Sequence, residues 1–116
     1  MEESKLLKLS TEFAIDVVNY SKSLKEKKEF TLSDQLLRSG TSIGANINEA
    51  QYAQSKADFV SKLTIALKEA GETGYWLKLL KETGYLSEEE YKKLEDKCLK
   101  LRAMLIRAVT TTKKKK

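Results

Sequence analysis

Apolar residues recur along this chain at steps of three and four, in four separate stretches. Leu6, Leu9, Phe13, Val17, Tyr20 and Leu24 form the first series, widened by Leu7, Ala14 and Val18. That step places them on one face of a helix. The run Lys25-Glu26-Lys27-Lys28-Glu29 marks its polar end. Thr31 opens the second stretch: Thr31-x-x-Asp34 has the form of a capping box, with Phe30 at the staple position. Its series is Leu32, Leu36, Ser39, Ile43, Ile47 and Ala50, with Leu37 alongside. Gly40 and Gly44 interrupt it. Glycine inside a helix costs roughly 1 kcal/mol relative to alanine, and close approach of a neighbouring helix would offset that cost.

Ser55 starts the third stretch with Asp58 three residues on, followed by Phe59, Leu63, Ala66, Ala70, Thr73, Leu77 and Leu80. This spacing makes a bundle seam. Gly84 is placed to end that helix in a left-handed conformation. Ser87 caps the fourth, whose first turn holds Glu88, Glu89 and Glu90. Tyr91, Leu94, Cys98, Leu101, Leu105 and Ala108 continue the pattern, which fades through Thr110-Thr111-Thr112.

The connections span about six, three to five, and about three residues, short enough to force antiparallel neighbours. The expected fold is all-α, an antiparallel up-down-up-down four-helix bundle. One domain covers residues 1–112, and like-charge repulsion is expected to leave the basic tail 113–116 disordered.

Composition narrows the chemistry. The chain has no proline, which suits long helices. It has no histidine, the commonest general acid/base and metal ligand. Cys98 is the single cysteine, so no internal disulfide forms, as suits a reducing compartment. No apolar run approaches the ~20 residues needed to span a bilayer, and the N-terminus lacks a signal-peptide pattern. The expectation is a cytoplasmic protein that carries no metal, cofactor or catalytic residue and meets no membrane.

The net charge of +5 is unevenly distributed. From Lys97 onward there are eight basic residues and no acid: Lys97, Lys100, Arg102, Arg107, Lys113, Lys114, Lys115 and Lys116. Residues 1–96 carry 14 basic and 17 acidic side chains, a net of −3. The eight cations are the candidate nucleic-acid-binding residues, since they could neutralise phosphates in a salt-dependent way. A solvated face with a frayed tail is the plainer alternative. Lys97, Lys100, Met104 and Arg107 are expected on one helix side.

Within the second helix, Ser39, Ser42, Asn46 and Glu49 share a strip, with Arg38 beside it. A ligand surface is one reading. A hydrogen-bonded set that fixes helix register or a subunit contact is the favoured one. Glu69 and Glu72 on the third helix are expected to pair with Arg38 or a lysine. Tyr75 and Trp76 read as packing or interface aromatics, and Cys98 as an inert core thiol.

The stretch from Leu36 to Ala50 contains Arg38-Ser39-x-x-Ser42-Ile43-x-Ala45-Asn46-Ile47-x-Glu49-Ala50. It resembles the signature of the four-helix bundle proteins named for 23S rRNA intervening sequences. Phe59 to Ala66, Glu69, Glu72 and Tyr75-Trp76-Leu77 continue the likeness, which runs from about Phe13 to Arg107. Ala50 stands where that family more often has glycine. The resemblance implies a ring-like homopentamer. The family is also similar to the accessory variability determinant protein of diversity-generating retroelements, a basic bundle that binds nucleic acid and assists a reverse transcriptase. The expected function is that of a non-catalytic, oligomeric protein that binds RNA or DNA. The partners this implies are further copies of the chain, RNA or DNA, and a reverse transcriptase or another protein. A protein-interaction scaffold with no nucleic-acid role is the alternative.

Overall fold

The computed structural model describes residues 2–115. Four helices fill it: α1 (Glu2–Glu26), α2 (Phe30–Ala50), α3 (Lys56–Glu82) and α4 (Glu88–Lys114). Each packs antiparallel on its sequence neighbour, and α4 closes the ring on α1 through a looser seam. Among the described residues, diagonal pairs do not meet at the backbone. The result is an all-α four-helix bundle measuring 50 × 21 × 20 Å.

The apolar series supply its centre. Phe13, Val17 and Leu24 of α1, Leu36, Ile43 and Ile47 of α2, Leu63, Leu77 and Leu80 of α3, and Leu101 and Leu105 of α4 are all fully buried. Burying one such side chain stabilises by about 1.5–3 kcal/mol. Gly40 fits against α1: a Cβ added there would lie 2.8 Å from Val17 Cγ1 and 2.9 Å from Val17 Cγ2. The glycines of α2 therefore serve close packing on α1, since a Cβ at Gly44 would come within 3.3 Å of Ser10 Oγ.

The helix ends explain the tight connections. Gly84 takes φ +85, with Gly84 N–H donating to the Lys81 carbonyl and Tyr85 N–H to that of Leu80. This is a Schellman motif. Ser55 accepts from Asp58 N–H, and Ser87 forms a reciprocal capping box with Glu90. The α1–α2 turn differs from the sequence expectation. Its cap is Glu29, whose carboxylate accepts from Leu32 N–H, and Thr31 lies inside α2. The cause is a second Schellman arrangement at the end of α1. Lys28 N–H donates to the Lys25 carbonyl and Glu29 N–H to that of Leu24, with Lys28 at φ 66. That turn leaves only residues 27–29 between the helices, so α2 must begin at Phe30. A non-glycine residue in this conformation costs about 1 kcal/mol. Lys28→Gly is expected to raise stability by about 0.5–1 kcal/mol in urea unfolding, and an unchanged midpoint would contradict this.

The C-terminus also differs. α4 does not fade at the threonines but continues through Lys113 and Lys114, with Lys115 as its C-cap. Cations in the last turn sit against the negative end of the helix dipole, which favours the extra turn. Lys116 lies outside the described residues.

Candidate nucleic-acid interface

The seam residues Leu94, Cys98, Leu101 and Leu105 fix the rotation of α4 by turning inward. Everything opposite them faces solvent, and that rotation divides the basic residues into groups. Lys100, Arg107 and Lys114 are exposed and spaced seven apart, and Lys93 extends the same row by one heptad. Seven residues advance ~10.5 Å along a helix. The four cations thus form a nearly straight row ~32 Å long. Asp96, also exposed, stands between Lys93 and Lys100 and offsets part of the charge. Lys93 was not among the sequence candidates because acids precede and follow it. Its signal was the heptad interval between cations.

Lys97 does not join this row. It is half-buried and donates to Asp16 Oδ2 at 2.6 Å, bridging the loose α1–α4 seam. Met104 is half-buried against the core rather than beside Lys100 on the surface. Arg102 is exposed on the opposite shoulder of α4, beside Gly71, Gly74 and Tyr75 of α3. Lys113 and Lys115 are exposed near the end of α4, and the Lys115 carbonyl accepts a hydrogen bond from Lys56 Nζ.

The α2 signature has a different place. Arg38 spreads its guanidinium across α3, with Nη1 donating to Glu69 Oε1 at 3.3 Å and Nη2 to Glu72. Trp76 Nε1 donates to the same Glu72 carboxylate at 2.9 Å. Beneath them the buried Ser39 and Thr73 hydroxyls share a 3.0 Å hydrogen bond. Glu49 pairs with Lys62 at 3.3 Å. These contacts pin α2 to α3 within one chain. Ser42 and Asn46 stand apart from them. Both are half-exposed and donate back to their own helix, to the carbonyls of Arg38 and Ser42.

Trp76 packs partly against the core, whereas Tyr75 is 59% exposed and meets it edge-on at 5.1 Å. Tyr75 borders an apolar strip with Leu99, while Ile106 lies one heptad further along α4. Nothing lies within 4 Å of a Cβ built at Gly71 or Gly74, so this strip is open.

Cys98 is buried and its thiol donates to the Ala70 carbonyl at 3.3 Å. Burial pushes its pKa up from 9.0 to about 11, so it stays a neutral thiol. The unfolded chain releases this proton first as pH rises. Stability from this group is therefore intact below pH 9 and falls between 9.0 and about 11. The expected loss is about 2–3 kcal/mol. Urea unfolding at pH 7 to 11 should show the fall in the parent and a shallower one in Cys98→Ala. Equal slopes would overturn the assignment. Tyr20, whose hydroxyl donates to the Tyr85 carbonyl at 2.6 Å, is also raised by burial and then by Glu90, and adds to the alkaline loss.

Among the described residues no group of His, Cys, Asp and Glu could hold a metal ion, and no helix is long and apolar enough to cross a membrane. A family model described as "23S rRNA-intervening sequence protein" matches residues 2–107. A solved structure is also similar: a protein of unknown function from the S23 ribosomal protein family of Bacteroides thetaiotaomicron VPI-5482. It is 49% identical over 95% of this chain and 99% of its own, with a TM-score of 0.91. No curated protein matches.

Proposed function

The chain belongs to the 23S rRNA-intervening sequence protein family, and from that premise we propose that it is a non-catalytic, oligomeric, RNA-associated protein of the cytoplasm. The observation that carries this reading is the exposed row Lys93, Lys100, Arg107 and Lys114 along α4. Four cations on a rigid rod suit the phosphate backbone of a nucleic acid, which is read as charge without sequence. The family's name, which ties it to 23S rRNA, favours RNA. The neutral, buried Cys98 thiol supports the absence of thiol catalysis.

Self-association is supported by the open apolar strip of Gly71, Gly74, Tyr75, Leu99 and Ile106. A second copy covering it would bring two cation rows together, and a homopentamer would bring five. Linked rows bind a polymer more tightly than one. The same strip supports a protein partner as the second reading, a reverse transcriptase included.

The test is binding of labelled RNA and duplex DNA across a salt series, alongside light scattering at micromolar concentration. Binding that weakens linearly in log salt, with RNA preferred, is expected. Absence of binding at low salt would overturn the nucleic-acid role, and a monomer in scattering would overturn assembly.

A further inference from the structure

The bundle has one end where α1 and α3 begin and α2 and α4 finish. The α2–α3 turn lies there and carries Tyr52, which is 79% exposed. The other four tyrosines each have a partner. Tyr20 donates to the Tyr85 carbonyl, Tyr85 to Glu29 and Tyr91 to Glu95, while Tyr75 meets Trp76 edge-on. The Tyr52 side chain has neither a hydrogen bond nor a ring contact among the described residues.

Its backbone is nevertheless held fast. The N–H groups of Gln51, Tyr52 and Ala53 donate to the carbonyls of Asn48, Glu49 and Ala50 at 3.0–3.1 Å. Gln54 N–H donates to Asp58 Oδ2 at 3.2 Å on the far side of the turn. The turn thus presents a large flat ring on a fixed base, with only two side-chain torsions left to settle.

This end is also cationic. Lys113, Lys114 and Lys115 are exposed at the finish of α4 and, being consecutive, fan around its axis. Lys56, in the first turn of α3, joins them by donating to the Lys115 carbonyl. A cation there opposes the positive pole of its own helix, so the stability of α3 does not account for it. The acids flanking the turn are engaged, Glu49 with Lys62 and Asp58 with Gln54 N–H. Lys114 is also the last member of the α4 row, so a strand that follows the row arrives here. The bundle is 21 × 20 Å across, which keeps the ring and the four lysines within reach of a few nucleotides.

We infer that Tyr52 stacks on an unpaired base of RNA, with Lys56, Lys113, Lys114 and Lys115 on the flanking phosphates.

Three physical points lead there. An exposed aromatic face stacks on any base and needs no sequence. A base inside a duplex is covered on both faces by its neighbours, so only an unpaired one is free for the ring. A protein interface depletes lysine around its anchor aromatics, whereas lysines share this end with Tyr52. The inference rests on the RNA-associated reading above and adds the form of RNA and the residue that selects it.

The probes are an adenine RNA strand of about 12 nucleotides, the same strand made abasic, and the strand annealed to its complement. Tyr52→Ala should keep the parent's unfolding midpoint, because the side chain is exposed. It should weaken binding of the intact strand about tenfold and leave the abasic strand and the duplex unchanged. The salt slope should not move, because no phosphate contact is lost. Tyr52→Phe should restore the affinity, since it keeps the ring. Phe30→Ala removes another exposed ring, at the opposite end of the bundle, and should change nothing. Lys56→Gln should weaken all three probes and lower the slope. Equal binding of the intact and abasic strands would overturn the inference and leave the RNA reading standing. So would full affinity in Tyr52→Ala, or an equal loss on the duplex or in Phe30→Ala. No binding of any probe at low salt would overturn both.

Discussion

Gly40→Ala is expected to destabilise the bundle by about 2 kcal/mol, although alanine is the better helix former by about 1 kcal/mol. The reason is Val17. All three of its side-chain carbons lie within 3.3 Å of where the new Cβ would sit, and the nearest is at 2.8 Å. Val17 is fully buried and, being β-branched, has almost no alternative rotamer in a helix. It cannot turn aside, so α1 and α2 must separate. Overpacking of this kind costs about 1–3 kcal/mol, and the stiff neighbour puts this case at the upper end. A double-mutant cycle separates the clash from other effects. Val17→Ala alone leaves a cavity and is destabilising. Combined with Gly40→Ala it makes room for the new methyl, so the pair should lose about 2 kcal/mol less than the sum of the singles. Gly71→Ala, with nothing within 4 Å, should instead raise monomer stability by about 0.5–1 kcal/mol. Urea unfolding of the four variants checks all of this. A Gly40→Ala protein as stable as the parent would show that the helices do not meet so closely.

The second large effect concerns binding. Replacing Lys93, Lys100 and Lys114 together by glutamine is expected to weaken RNA binding about 100-fold or more at low salt. It should also reduce the salt slope by about 2 for a single strand, at roughly 0.7 per phosphate contact. Stability should hardly move, since all three side chains are exposed. Lys97→Gln is the control. Lys97 is occupied by Asp16 at 2.6 Å, so its loss should leave the salt slope unchanged and lower stability modestly. Should Lys97→Gln change the slope as much as one residue of the row, the charges would be acting as a diffuse cloud rather than as an ordered line.

The contrast between Lys97 and Lys93 shows where the sequence was legible. The core series was readable because burial follows one simple period, and each fully buried aliphatic sits at a seam position. Ser55, Gly84 and Ser87 were readable because each acts within a few residues of itself. Lys97 lay inside an acid-free stretch, yet its partner is 81 positions away on α1. Counting charges along the chain cannot see a pairing across the bundle. Lys93 was hidden for the opposite reason: the acids around it in sequence obscure its place in the heptad row. Thr31 failed as a cap because the turn at Lys28 uses a lysine in a conformation that usually calls for glycine.

The signature stretch of α2 sharpens this further. Arg38, Ser39 and Glu49 face α3, while Gly40 and Gly44 face α1. Its specificity as a sequence pattern thus reflects one helix held on both flanks. Chemistry need not be invoked for those positions. Asn46 and Ser42 remain half-exposed beside them, bonded only within α2.

The uneven closure of the four-helix ring bears on how the chain reaches it. The three tight seams join helices that follow one another directly, across connections of three to five residues. The loose seam alone joins the first helix to the last. Each hairpin therefore closes a short loop at small entropic cost, and once the three hairpins are formed the ends of α1 and α4 already lie together, so the long loop adds little further cost. Such a chain has low contact order, the regime of rapid folding. The Asp16–Lys97 bridge is a polar tie across that loose seam.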